Sequence, residues 1–221
     1  MDESARSLPA GPVGWLPGHR EDPGRREDEV SGKSKAQWVS YLLEPKNWII
    51  ATTLAVGWHA DGAAGLGWGA VAALFAGVLP TVFINRGVRS GRWADRYVGA
   101  RRPRLIVLSF ILASVAIGLA LLAGLGAPGE LTGYFGCMLV SVAVLAAITT
   151  VWKISIHCAV AAGSVTILAL LFGPWVAPAY LLVALTGWSR VVLHDHTTAQ
   201  VFAGSVLGAI AALVTYTLIP H

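Results

Sequence analysis

Two short segments of this chain carry most of the side chains that could do chemistry. Trp188-Ser189-Arg190-Val191-Val192-Leu193-His194-Asp195-His196 packs an arginine, two histidines and an acid between apolar runs. Trp152-Lys153-Ile154-Ser155-Ile156-His157 puts a cation, a hydroxyl and an imidazole at the head of another apolar run. Ionisable groups near hydrocarbon are costly unless they are paired or used, so both segments are candidate functional sites. A neutral imidazole is nucleophilic at pH 7, and a second, protonated one can donate. Guanidinium groups match the geometry of a phosphoryl group and stabilise charge on its oxygens. Backbone N–H groups at helix starts add to an anion site. Together these are the parts of a phosphoryl-transfer site.

The elements that must position them are membrane helices. Of 221 residues, 55% are hydrophobic and 13% charged, about half the charged fraction of a soluble domain. Residues 1–36, rich in Gly, Pro, Ser and mixed charge, predict a disordered polar tail. Residues 37–47 predict an interfacial helix with Trp38, Tyr41, Leu42 and Leu43 toward lipid. Apolar runs follow at 48–60, 66–84, 105–125, 131–151, 157–172, 175–188 and 199–219. The fold class expected for 37–221 is therefore an all-α, polytopic transmembrane helix bundle of six to seven segments. Run 48–60 is short enough to be re-entrant instead. Cys137 and Cys158 lie in apolar stretches and read as packing residues without a disulfide.

Charge placement orients the bundle. If all seven runs span, all 16 Lys and Arg residues fall on one side, and the other side holds Asp61 and Glu130. Basic residues accumulate in cytoplasmic loops, which predicts a cytoplasmic N-terminus and a cytoplasmic site, in a cell membrane. The loop 86–104 and the two polar segments are separated by pairs of crossings, so all three meet at one face. Arg86, Arg89, Arg92 and Arg104 are read as orienting charges that attract anionic membrane lipids, with Arg96, Arg101 and Arg102 in a mixed role. No nucleic-acid partner is expected, and nothing in the sequence fixes an oligomeric state.

Ser189-Arg190, five residues, then His196 resembles the third signature of the type 2 phosphatidic acid phosphatase family, Ser-Arg-x5-His-x3-Asp. Ser155-Ile156-His157 resembles its second, Pro-Ser-Gly-His. Asp95, six residues, then Arg102-Pro103 is a weaker echo of its first, Lys-x6-Arg-Pro. Gly204 and Gly208 stand where that family also tends to have glycines. The resemblance, over roughly 90–210, implies a membrane phosphatase acting on a lipid or isoprenoid phosphate or diphosphate. It implies that His196 attacks phosphorus and forms a phosphohistidine, and that His157 protonates the leaving oxygen. Arg190 and Arg102 would grip phosphate oxygens, Ser155 would donate a further hydrogen bond, and Ser189 falls within the same substrate-binding signature. No cofactor and no metal are implied.

Two departures stand out. The family's acid four residues after the nucleophile is Gln200, and its first lysine is Asp95. On a helix, residues i and i+4 share a face. Gln200 can then accept from the His196 ring and fix its tautomer, but it adds no negative charge, so slower phosphorylation is expected. Asp195 would point elsewhere. Lys153 or Arg96 can take the lysine's place, with Asp95 orienting Arg96 or Arg102. His194 reads as structural or substrate-facing, His59 and Asp61 as interfacial, and Trp93, Trp152 and Trp188 as interfacial anchors. A metal site from His157, His194 and His196 lacks a partner acid at helix spacing. Rival readings are a weak relative that binds or flips phospholipids, and a small-molecule transporter; against the latter, the helix centres are nearly uncharged.

Overall fold

The computed structural model describes residues 23–93 and 101–218, and among them it is helical throughout, with no strand. Helix α1 spans Pro23–Leu42, so helix already occupies the second part of the stretch expected to be disordered. After it come α2 (Pro45–Ala73), a π-helical turn (Leu74–Val78), α3 (Leu79–Arg89), α4 (Arg101–Gly124) and α5 (Gly129–Thr149). The chain ends with α6 (Ile156–Phe172), a 3-10 segment (Pro174–Ala179), α7 (Tyr180–Val192) and α8 (Thr198–Leu218).

Helix α2 is folded back on itself. Asp61 (φ −152°, ψ 30°) and Gly62 (φ 53°, ψ −130°) leave helical geometry, and the φ of Gly62 is one that a side chain would resist. The two arms then run antiparallel at backbone contact: a Cβ on Gly57 would strike the Gly65 carbonyl, and one on Gly69 would lie 2.7 Å from the Thr53 carbonyl. Run 48–60 is thus the first arm of a helical hairpin. That arm, 45–60, is about 24 Å long at 1.5 Å per residue, so it falls short of a ~30 Å hydrocarbon core. In the return arm, Pro80 cannot donate a backbone hydrogen bond. Ser114 Oγ of α4 instead donates to the Phe75 carbonyl in the π-helical turn (2.5 Å), and Thr81 Oγ1 to that of Gly77 (2.7 Å).

Among the described residues, five stretches are long and apolar enough to cross a membrane: Ser31–Arg89, Arg102–Gly124, Gly129–Thr149, Pro174–Val192 and Thr198–Leu218. The first contains the hairpin, and Ile156–Phe172 is a shorter apolar helix. Taking hairpin arms and short helix separately gives an apolar arm for every run in the sequence. The ends alternate accordingly. His59 beside the hairpin tip lies 2.7 Å from Glu130 at the start of α5 and packs edge-on against Phe172 at the end of α6. At the opposite end, Arg104, Ile154, Arg190 and Asp195 meet. Trp93, read from sequence as an interfacial anchor, is buried instead against Phe83 and Val107, over the bare face of Gly87. Cys137 and Cys158 are free and buried.

Helices α6 and α8 also pack at backbone contact, and this pair runs parallel. A Cβ on Gly204 would meet the Ser155 carbonyl, one on Gly208 the Ala159 carbonyl, and one on Gly163 the Gly208 carbonyl at 3.3 Å. Small residues let membrane helices approach until van der Waals contact holds them. We expect Gly208→Val to force the pair apart and cost about 3 kcal/mol, read as a loss of thermal stability in detergent. Gly124→Val has open space around its Cβ and should leave the melting temperature nearly unchanged; equal effects of the two would refute this packing.

Candidate active site

The parallel α6–α8 pair puts two helix N-termini side by side. Ser155 caps α6, its Oγ accepting from Cys158 N (3.4 Å), while its own N–H donates to the Gln200 carbonyl of α8 (3.2 Å). Ser155 is fully buried in this cap and stands outside the cavity lining. The next turn of α6 directs His157 into the cavity.

His196 is delivered by a tight turn after α7. His194 adopts φ 59°, the left-handed region that β-carbon-bearing residues seldom enter. The Arg190 carbonyl accepts from both Asp195 N (3.1 Å) and His196 N (3.2 Å), closing the turn. Helix α8 then starts with a capping box. Gln200 N donates to Thr197 Oγ1 (3.3 Å), and Thr197 N donates to Gln200 Oε1 (3.2 Å). The same Oε1 lies 3.1 Å from His196 Nδ1. Because the Thr197 N–H can only donate, the Gln200 atom there is the oxygen, so His196 Nδ1 must carry the proton it donates. The Nε2 lone pair is left available. Gln200 therefore both caps the helix and sets the tautomer. The Thr-x-x-Gln spacing carried that capping role in the sequence, where only the pairing with His196 was read.

Arg104, His157, Arg190 and His196 converge on one end of a cavity of ≈ 210 Å³ lined by α2 to α8, whose wall also carries Glu44 and Lys46 at the start of α2. Arg190 is 1% exposed; one terminal nitrogen donates to Ser40 Oγ (2.6 Å) and the other pairs with Asp195 Oδ2 (2.7 Å). Asp195 thus faces Arg190. Arg104 is 4% exposed and donates to the Ile154 carbonyl, while its Nε has no hydrogen-bond partner among the described residues. On the outer side, Lys153 Nζ donates to the Asp195 carbonyl (3.1 Å). It lines a polar vestibule with His194, Asp195, Thr197 and Gln200, and His196 borders both vestibule and cavity.

The remaining sequence candidates are placed as follows. Ser189 is buried and donates to the Thr186 carbonyl (2.7 Å), away from the cavity. Arg102 is exposed and does not line the cavity. Asp95 and Arg96 lie outside the described residues, as does the Arg101 side chain. Arg104, read from the sequence as an orienting charge, instead occupies the site. Its signal was helical phase: Arg104, Leu108, Ile111 and Val115 form one stripe on α4 that faces inward, and Arg102 is off that stripe. Among the described residues, no group of three His, Cys, Asp or Glu side chains is close enough to hold a metal ion.

Residues 145–221 match the model of the PAP2 superfamily. This is consistent with a PAP2-family membrane protein, the family whose signatures the sequence resembles. The matched segment runs from the end of α5 through α8 and contains His157, Arg190, His196 and Gln200; Arg104 and Ser40 lie outside it. No curated protein and no solved structure matches the chain significantly. PAP2 members are phosphatases, which supports a phosphoester hydrolase in general terms.

The electrostatics bear on that chemistry. Burial holds the His196 imidazole down, from 6.5 to about 4; Lys153, Arg104 and Arg190 act in the same direction, and the Gln200 hydrogen bond opposes them. A lowered histidine pKa keeps the neutral, nucleophilic form as pH falls through 6.5, and that form is lost only around pH 4. Acylation of His196 by diethyl pyrocarbonate, which needs the neutral ring, should therefore keep its rate down to pH 5 and halve near pH 4. Peptide mass mapping checks this; a midpoint near 6.5 would contradict the burial argument.

Proposed function

We propose that this protein is an integral membrane phosphatase that removes phosphate from a lipid or isoprenoid phosphate or diphosphate. The observation that carries the reading is the cavity itself: two histidines and two buried arginines at one end, and an apolar chamber running from them along α6 to Ile167. From His157 to Ile167 that is about 15 Å of helix, room for a good part of a hydrocarbon tail with its headgroup at the polar end. The charge asymmetry of the loops argues for a cytoplasmic site in a cell membrane.

In this reading the phosphate enters with its oxygens on Arg104 and Arg190, whose donors match a tetrahedral anion and stabilise charge as it develops. His196 Nε2 attacks phosphorus, and the bond between phosphorus and the lipid oxygen breaks. His157, protonated once the negative phosphate lies beside it, gives its proton to that oxygen, and the lipid leaves as an alcohol or, from a diphosphate, as a monophosphate. Water entering from the vestibule then loses a proton to His157 and attacks the phosphohistidine, releasing inorganic phosphate and restoring both rings. Gln200 holds the attacking tautomer without the negative charge an acid would add, so turnover is expected to be slow.

The direct test is phosphate release by purified protein in detergent, with chelator present, across phosphatidic acid, phosphatidylglycerol phosphate and short and long prenyl phosphates and diphosphates. Wild type should turn over at least one class, and His196→Ala should lose about 10³-fold or more. Silence across the panel by folded protein would overturn the reading in favour of phospholipid binding or flipping.

Placement of the arginines gives a second test. Arg104→Ala should lower kcat/KM about 10²-fold, as expected for a buried charge-assisted contact to phosphate, whereas Arg102→Ala should stay within about threefold of wild type. The opposite order would restore the assignment that the sequence alone suggested.

A further inference from the structure

Helix α1 has no part in the chemistry so far described and lies outside the family match, yet it reaches the site. Its inward face is small and fully buried: Ala36 and Ser40, one turn apart, pack toward α7. Its outward face carries Trp38 (65% exposed), Tyr41 (50%) and Leu42 (61%), the residue types that settle at a bilayer interface. Asn47 Nδ2 donates to the carbonyls of Tyr41 (3.2 Å) and Leu42 (2.9 Å), fixing the angle at which α1 meets α2. The consequence is the 2.6 Å hydrogen bond from Arg190 to Ser40 Oγ, formed between two buried side chains far apart in sequence.

A hydroxyl at that point has a particular effect. Arg190 also pairs with Asp195, and Glu44, four residues on from Ser40, is buried and lines the same cavity; an apolar group at position 40 would take this acceptor from a buried terminal nitrogen. A neutral acceptor orients the planar group without adding negative charge beside it. We propose that Ser40 is a positioning residue that holds Arg190 in the phosphate-binding orientation, and that α1 brings it there by lying in the membrane interface. This rests on the reading of the cavity as a phosphate site.

The test uses the full chain, with orthophosphate as the probe. Wild type, Ser40→Ala and Ser40→Thr are compared for phosphate inhibition of turnover, for kcat/KM, and for the rise in melting temperature on adding orthophosphate. Ser40→Ala should weaken phosphate inhibition and lower kcat/KM by about tenfold each and shrink the phosphate-induced rise in melting temperature, on top of a modest fall in the melting temperature without phosphate from the lost buried acceptor. Ser40→Thr, which keeps the hydroxyl, should recover to within about threefold. Phosphate affinity equal to wild type in Ser40→Ala, or a Thr variant as impaired as the Ala variant, would overturn the proposal. Should Ser40→Ala fail to fold, Trp38→Ser with Tyr41→Ser and Leu42→Ser tests the same link from the lipid side. In vesicles it should weaken phosphate affinity in the same way, and unchanged affinity would overturn the proposal. A wild type that hydrolyses nothing yet is stabilised by orthophosphate, with that stabilisation lost in Ser40→Ala, would sink the phosphatase reading and leave the role of Ser40 standing.

Discussion

Backbone contact between α6 and α8 is the constraint on which the rest of the structure depends. Two helices can touch at this distance only where one offers glycine, and α8 offers Gly204 and Gly208 against the Ser155 and Ala159 carbonyls. Because the pair is parallel, its N-termini lie together. The extended cap of α6 can then bond to the Gln200 carbonyl, and the imidazoles of two remote segments open onto the same cavity. Had α8 carried larger residues, the helices would separate by ångströms. The hydrogen bonds that tie the two starts together could not survive that displacement.

The second constraint is the cost of burying cations. A guanidinium out of water is tolerated when its donors are met and an opposite charge is near. Arg190 meets this with Ser40 and Asp195. Arg104 has a single carbonyl and no carboxylate within 4 Å among the described residues. In the proposed reading this end of the cavity takes an anion and the apolar walls take the chain attached to it. The same burial that lowers the His196 pKa keeps its ring neutral, so nearby cations and an uncharged imidazole coexist.

Gln200 shows how local and distant demands combine in one side chain. Its position at the third residue of α8 closes the capping box with Thr197, and the same oxygen accepts a hydrogen bond from His196 Nδ1. An acid could accept both bonds as well and would raise the basicity of the ring. Glutamine keeps the geometry without that charge.

The sequence by itself determined the fold class, the series of apolar arms, the gathering of polar segments at one end, and the histidines and Arg190 as the candidate chemistry. These follow from hydropathy and from motif spacing, properties that are local along the chain. Even the Gln200 contact was legible, since i and i+4 share a helix face. Only the tertiary structure decided that Arg104, and not Arg102, turns inward. That choice depends on the rotational phase of α4 against its neighbours, and the Arg-Pro dipeptide drew attention to Arg102 instead. It also decided that Ser155 and Ser189 are spent on caps and carbonyls, and that α1 reaches Arg190 through Ser40, a contact between residues 150 positions apart. Such contacts are fixed by how helices stack, and no period or spacing within one segment encodes them.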